Sequence, residues 1–347
     1  MLLAAFCEIF AQDTDTIRIT FLGDVMSHTL QLKAAHQAGK DTLDPDNYDF
    51  SSYFDKVRPL LDSADFVVAN MEFPCGVRPF SGYPVFSAPE SLPIEAKKSG
   101  IDLFLAANNH ICDKGKAGLD STYAIYNRLH MPFTGLYESE EDEFINNPYI
   151  TYIRGIRTAF INFTYGTNGF NVSEPYRVNK QDSVHLKKVI QRAKDRGAEF
   201  IIVMPHWGVE YKLDICQEQK KWADMIYRYG ANVIVGTHPH VVQKVEYDGV
   251  HATAYSLGNF ISNMSIIYGQ IGMVFTLKLL RNDDGSISVL EPEVVYTWCA
   301  RAGKLEENYT TFPITEYIGR RDEFIEKGQY DKMMREWNSV KAKFNIQ

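Results

Sequence analysis

Residues 233–240 read Val-Ile-Val-Gly-Thr-His-Pro-His: a short β-branched run, a glycine, and then two histidines separated by one residue. Four other hydrophobic runs end the same way. Ile17–Leu22 leads into Gly23–Asp24, Phe66–Ala69 into Asn70–Glu72, Leu103–Ala107 into Asn108–His110, and Phe200–Met204 into Pro205–His206. Each run is aliphatic or β-branched and too short for an ordinary helix, the pattern of buried strands in a largely parallel α/β sheet. Ligands of such sheets collect beyond the carboxyl ends of the strands. Five strands that all deliver Asp, Glu, Asn or His to that edge are expected to build one metal centre from residues far apart in sequence.

The histidines support this expectation. Five of the nine, His28, His110, His206, His238 and His240, lie at these strand ends, whereas His36, His130, His185 and His251 read as ordinary surface or partly buried residues. Imidazole with carboxylate and amide oxygen suits Mn, Zn or Fe better than calcium. Two such ions about 3.5–4 Å apart clamp the attacking and leaving oxygens of a displacement and activate water near neutral pH.

Helical spacing recurs between the runs, at Pro89–Lys98, Ala117–Leu129, Asp182–Arg196 and Gln217–Tyr229. Hairpins are expected around Arg154–Gly155, Asp248–Gly249 and Asp283–Gly285. The pattern predicts one compact domain over residues 17–300 and a helical, amphipathic appendage over 301–347 that packs outside the core. Two long loops, Pro74–Pro89 and Thr164–Tyr176, follow strands whose ends carry function, a common place for binding residues.

The chain has 347 residues, 45% of them hydrophobic, enough to bury a large core. Its 36 Lys and Arg stand against 44 Asp and Glu, a net charge of −8 with no basic block, which argues against nucleic acid as a partner. Residues 1–11, MLLAAFCEIFA, read as the end of a truncated signal peptide cleaved before Gln12, so an exported protein, periplasmic or at the cell surface, is expected. Phe6 suits lipidation of Cys7 poorly. Cys75, Cys112, Cys216 and Cys299 match no zinc spacing and read as core or loop residues.

Six segments in order, GDVMSH (23–28), NMEFP (70–74), NNHICDKG (108–115), PHWGVEY (205–211), GTHPHVV (236–242) and YSLGNFI (255–261), resemble the motifs of the poly-γ-glutamate capsule-biosynthesis (CapA-type) proteins. These belong to the calcineurin-like metallophosphoesterase superfamily, and the resemblance runs from Ile17 to Val295. It implies an α/β fold of the metallo-dependent phosphatase type, a four-layered α/β/β/α sandwich. It also implies that Asp24 and His240 ligate a first metal, that Glu72 bridges, and that Asn109, His206 and His238 hold a second. His110 then stands where a leaving group is protonated, with Asp113 orienting it. Two departures are visible: the usual Asp-x-His is absent, leaving His28 one helical turn beyond Asp24 as a metal or substrate contact, and Asn70-Met71-Glu72 replaces a Gly-Asp pair.

The resemblance implies a metal-dependent hydrolase that uses metal-activated water on an amide or phosphoester bond of a cell-envelope polymer. A phosphomonoesterase or phosphodiesterase is a second reading. A non-catalytic metal-binding partner of a membrane polymer synthase is a third. For an anionic polymer or phosphorylated substrate, Arg78 and Asn70 are the expected contacts, with Lys114 as a further cation.

Overall fold

The structure, a computed structural model, describes residues 16–346; the expected signal segment 1–11 lies outside the described residues. The chain first lays down neighbouring parallel strands β1 (Thr16–Val25), β2 (Phe66–Met71), β3 (Leu103–Leu105) and β4 (Phe133–Thr134). A short strand, β5 (Leu136–Tyr137), leaves this sheet to pair later with β8 (Arg177–Val178). A second sheet follows from β6 (Tyr149–Ile153), β7 (Ile156–Thr164), β9 (Phe200–His206), β10 (Val233–Val235), β11 (Val245–Tyr247) and β12 (Ala252–Ala254). The chain then returns to the first sheet with β13 (Asn259–Ile261), β14 (Ile271–Arg281), β15 (Ile287–Ala300) and β16 (Thr310–Pro313).

The five runs are therefore strands, but not of one sheet. β1, β2 and β3 lie in the eight-stranded sheet, while β9 and β10 lie in the six-stranded one. The alternation of side chains along each strand shows why two sheets stack. Val68 and Ile202 face the core between the sheets, together with Phe21, Leu105, Phe160, Met204 and Val235. Their neighbours Val67 and Ile201 face outward, each onto a helical layer. Helices 91–98 and 115–128 cover the first sheet through Leu92, Ala96, Leu119 and Tyr126. Helices 183–195 and 217–229 cover the second through Val189, Ile190, Ala223 and Ile226. Strands buried on both faces need continuous apolar sequence, and the layers stack as α/β/β/α.

Local chemistry sets the helix ends that aim these strands. Asp182 caps helix 183–195 by accepting from the amides of Val184 and His185, at 2.8 and 3.1 Å. Gly230 closes helix 217–229 at a φ of 106°, a left-handed turn that a side chain would strain.

The tail differs from the expected outer appendage. β16 pairs with β15, and helix 327–344 inserts Met333, Trp337 and Val340 into the core between the sheets. That i, i+4, i+7 stripe needs an apolar surface to cover it, and the open end of the sandwich supplies one. The Trp337 ring centroid lies 4.9 Å from that of Tyr296. No described helix is long and apolar enough to cross a membrane. The four described cysteines are free thiols, three of them buried and Cys216 partly exposed.

Candidate metal centre

The carboxyl ends of β1, β2, β9 and β10 and the turn after β3 converge on one buried cluster. β1 brings Asp24 there through an irregular register with β13 and β2. Gly23 makes this possible, because a Cβ on it would sit 2.0 Å from the Gly258 carbonyl oxygen. That same oxygen accepts the Asp24 amide at 3.0 Å. Asn70 and Glu72, two residues apart at the end of β2, point to the same face. His238 and His240 both have positive φ, 100° and 57°. Residues without glycine's freedom hold such angles at a cost of about 1–3 kcal/mol each, typically where function requires the geometry.

Asp24, Glu72 and His206 are fully buried, and Asn109, His238 and His240 nearly so. Ligand atoms of Glu72, His238 and His240 lie within 4.8 Å of one another, and so do those of Asp24, Glu72 and His206. Glu72 belongs to both triads. Its Oε1 is 3.7 Å from His206 Nε2 and 3.6 Å from His240 Nε2. His240 Nδ1 is 3.2 Å from Asp24 Oδ2 and 3.0 Å from Asn259 Oδ1. His206 Nε2 approaches Asn109 Oδ1 at 2.8 Å, and Thr237 Oγ1 lies 2.9 Å from its other ring nitrogen. The triads cut across the two ligand groups that the resemblance implied, but they share the bridging position of Glu72.

This donor set fits metal ions. Glu72 Oε1 and His238 Nδ1 are buried with no hydrogen-bond partner, a costly state for polar atoms that a cation would relieve. Burial, and next the neighbouring charge of Asp24, push the Glu72 carboxyl well above its ordinary pKa. Burial likewise holds His206 and His238 well below the usual imidazole value. They are neutral imidazoles, the form that ligates.

Asn109, His110 and His238 also line a cleft of about 730 Å³, together with Tyr165, Asn168 and Glu210. Asp113 orients His110, with Oδ2 2.8 Å from its Nδ1. The Asn168 side chain lies 3.3 Å from the Asn109 amide and 3.4 Å from His110 Nδ1, bridging a candidate ligand and the candidate acid.

Three expected contacts lie elsewhere. Asn70 is fully buried beneath the carboxylates, donating to Asp24 Oδ1 at 2.7 Å, so it orients ligands instead of meeting substrate. His28 belongs to neither triad; it is an extended residue before helix 29–35, not part of a turn leaving β1. Its ring packs on Phe86, and burial lowers its pKa to about 4. Arg78 is exposed and does not line the cleft.

Four other residues emerge only from the structure. The Tyr165 ring lies tilted 4.4 Å from that of His238, and Tyr211 lies 6.2 Å from His240. Asn168 bridges as described, and Glu210 Oε1 reaches within 4.0 Å of His240 Nε2. Glu210 and Tyr211 close the PHWGVEY segment, and Tyr165 and Asn168 sit in the loop after β7. Their location was legible in sequence, although their roles were not.

The bacterial capsule synthesis protein family PGA_cap matches residues 18–264. The chain is 27% identical over 269 residues to the capsule biosynthesis protein CapA of Bacillus anthracis, covering 74% of this chain and 62% of that protein. It is 26% identical over 287 residues to the PGA biosynthesis protein CapA of Bacillus subtilis strain 168, covering 79% and 71%. Among solved structures, one assigned as a 5′-nucleotidase of Staphylococcus aureus superposes with a TM-score of 0.51 at 15% identity, over 80% of this chain and 54% of that one. The NAD nucleotidase of Haemophilus influenzae gives 0.50 at 11% identity, over 94% and 68%. These two show a shared fold.

Proposed function

The chain belongs to the bacterial capsule synthesis family PGA_cap, and on that premise we propose that it is a metal-dependent hydrolase acting on the chain-linking amide of an anionic envelope polymer such as poly-γ-glutamate. One observation supports this reading above the others. Two buried triads share Glu72, and His238 of one of them lines a cleft together with His110, which Asp113 holds.

Asp24, Glu72, Asn109, His206, His238 and His240 would hold one or two divalent transition-metal ions. Such ions, when bound, supply Lewis-acid polarisation and a water of lowered pKa. The rest falls to the chain itself. Asp113 accepts from His110 Nδ1, so that Nε2 of the protonated ring can give its proton to the departing nitrogen as the C–N bond breaks, and the proton lost by the water that adds to the carbonyl carbon restores it. Asn168 accepts from the Asn109 amide and so fixes that side chain beside His110. Asn70 and Thr237 hold Asp24 and His206 from beneath, the role that supporting hydrogen bonds play in metal sites.

The test is turnover by the protein loaded with Mn, Zn or Fe, assayed on γ-linked oligoglutamates and on phosphoesters. Metal-dependent release of shorter γ-glutamyl chains is expected. Turnover confined to phosphoesters would make it a phosphoesterase, and metal binding without any turnover would favour a non-catalytic partner of a polymer synthase.

A further inference from the structure

A second groove of about 640 Å³ adjoins the metal cleft, and Tyr83, Pro84 and Val85 line both. The strap that carries these residues is a built wall. Ser81 and Ser87 exchange backbone hydrogen bonds of 3.0 and 2.8 Å, and Ser81 Oγ donates to the Val85 carbonyl at 2.7 Å. Gly82 packs so tightly that a Cβ would lie 2.1 Å from the Thr29 amide nitrogen. The amide of Phe86 then ties the strap to Asp113 at 2.7 Å.

The groove's chemistry contrasts with the rest of the chain. Its floor is apolar, from Leu32, Tyr48 and Phe80, and Lys33 and Lys114 stand on its walls. No Asp or Glu lines it, although the net charge of the chain is −8. Lys56, Lys116, Lys304 and Lys343 each pair with a carboxylate. Among the described residues Lys33 and Lys114 form no such ion pair, a state they share with Lys40, Lys187 and Lys212, and what sets them apart is that both line one groove.

We infer that this groove is an extension subsite for a linear polycarboxylate whose reacting bond lies across the strap in the metal cleft. The inference rests on the reading of the substrate as an anionic polymer. Lys33 and Lys114 meet carboxylates along the chain, and the apolar floor takes the methylenes between them. An ammonium is a compact point charge suited to single carboxylates, whereas a guanidinium fork suits bidentate phosphate, and no arginine lines the groove. Two partners on a continuous chain act through effective concentration, so a long chain gains affinity that a short one cannot.

The experiment measures binding of a long γ-linked oligoglutamate, the γ-glutamyl dimer and inorganic polyphosphate to the whole protein and to K33E/K114E, with melting temperature and metal content as controls. The variant is expected to bind the long oligomer at least about tenfold more weakly, the scale of two partly exposed ion pairs, while the dimer is unaffected. Amine labelling of the wild-type protein, read by mass spectrometry, is expected to show Lys33 and Lys114 shielded by the long oligomer, and it stands even where the variant folds poorly. Unchanged oligomer affinity in a folded variant, or labelling that the oligomer does not slow, overturns the subsite while leaving the proposed reaction intact. Polyphosphate that binds as tightly and depends equally on both lysines overturns polycarboxylate recognition. A wild-type protein that binds no oligoglutamate fails at the prior step, the substrate reading itself.

Discussion

Asp113 holds both His110 and the backbone of Phe86 with one oxygen: its Oδ2 lies 2.8 Å from His110 Nδ1 and accepts the Phe86 amide at 2.7 Å. The Phe86 ring in turn meets the His110 ring edge-on at 4.6 Å. The strap beside the cleft and the candidate acid within it therefore share a single anchor. Asp113→Asn removes the negative charge but leaves one carbonyl oxygen that can still accept from His110 and Phe86. Turnover should fall about 10–100-fold, the usual worth of a partner that orients a catalytic group, with metal content unchanged. Loss of metal by elemental analysis would place Asp113 in the metal set instead.

His110→Ala should retain its metals and lose about 10²–10⁴-fold in turnover. The deficit should shrink on substrates whose leaving group needs no proton, because only protonation has been removed. An equal deficit for good and poor leaving groups would end the assignment of His110 as the acid.

Asp24→Ala and His238→Ala each break a buried triad. Metal stoichiometry by elemental analysis should drop in both variants. Full metal content in both would remove the basis of the site.

Acidity around Glu72 gives a test without substrate. Asp24, His206, His240 and Glu210 surround this carboxyl. Its folded pKa is raised, so the stability it contributes to the metal-free protein is full below the ordinary carboxylate range and lost as pH rises through the raised value. His206 and His238 have depressed values, so their contribution is present above the usual 6.5 and lost as pH falls below it. Metal that displaces a proton from the Glu72 carboxyl should release protons on binding, more of them as the pH falls, and recover stability. Calorimetry in two buffers of different ionisation enthalpy measures the proton count, and metal binding with none released contradicts the raised Glu72.

Trp337 is 3% exposed and lies in the core between the sheets. Trp337→Ala should cost about 3–5 kcal/mol of stability, as truncation of a buried aromatic does. An exposed appendage would tolerate the change, so a melting temperature within a degree or two of wild type (about 1 kcal/mol or less) would return helix 327–344 to the surface.

Strand identity and most members of the buried cluster were legible in the sequence, because both depend on local order. An apolar run long enough for one strand, followed at once by Asp24, Asn109, His206 or His238, reveals a strand that delivers a polar group at its end. Helices 183–195 and 217–229 were equally local, read from the helical spacing of Asp182–Arg196 and Gln217–Tyr229. What the sequence could not determine was which strands share a sheet. β1 to β3 and β9 to β10 look alike as runs, and only pairing across long separations assigns them to two sheets whose carboxyl ends meet at Glu72. The placement of Asn70 beneath the carboxylates, of Arg78 outside the cleft and of Trp337 inside the core depends on three-dimensional packing in the same way. Side-chain type and spacing state what a residue can do, but burial and neighbours from distant segments decide what it does.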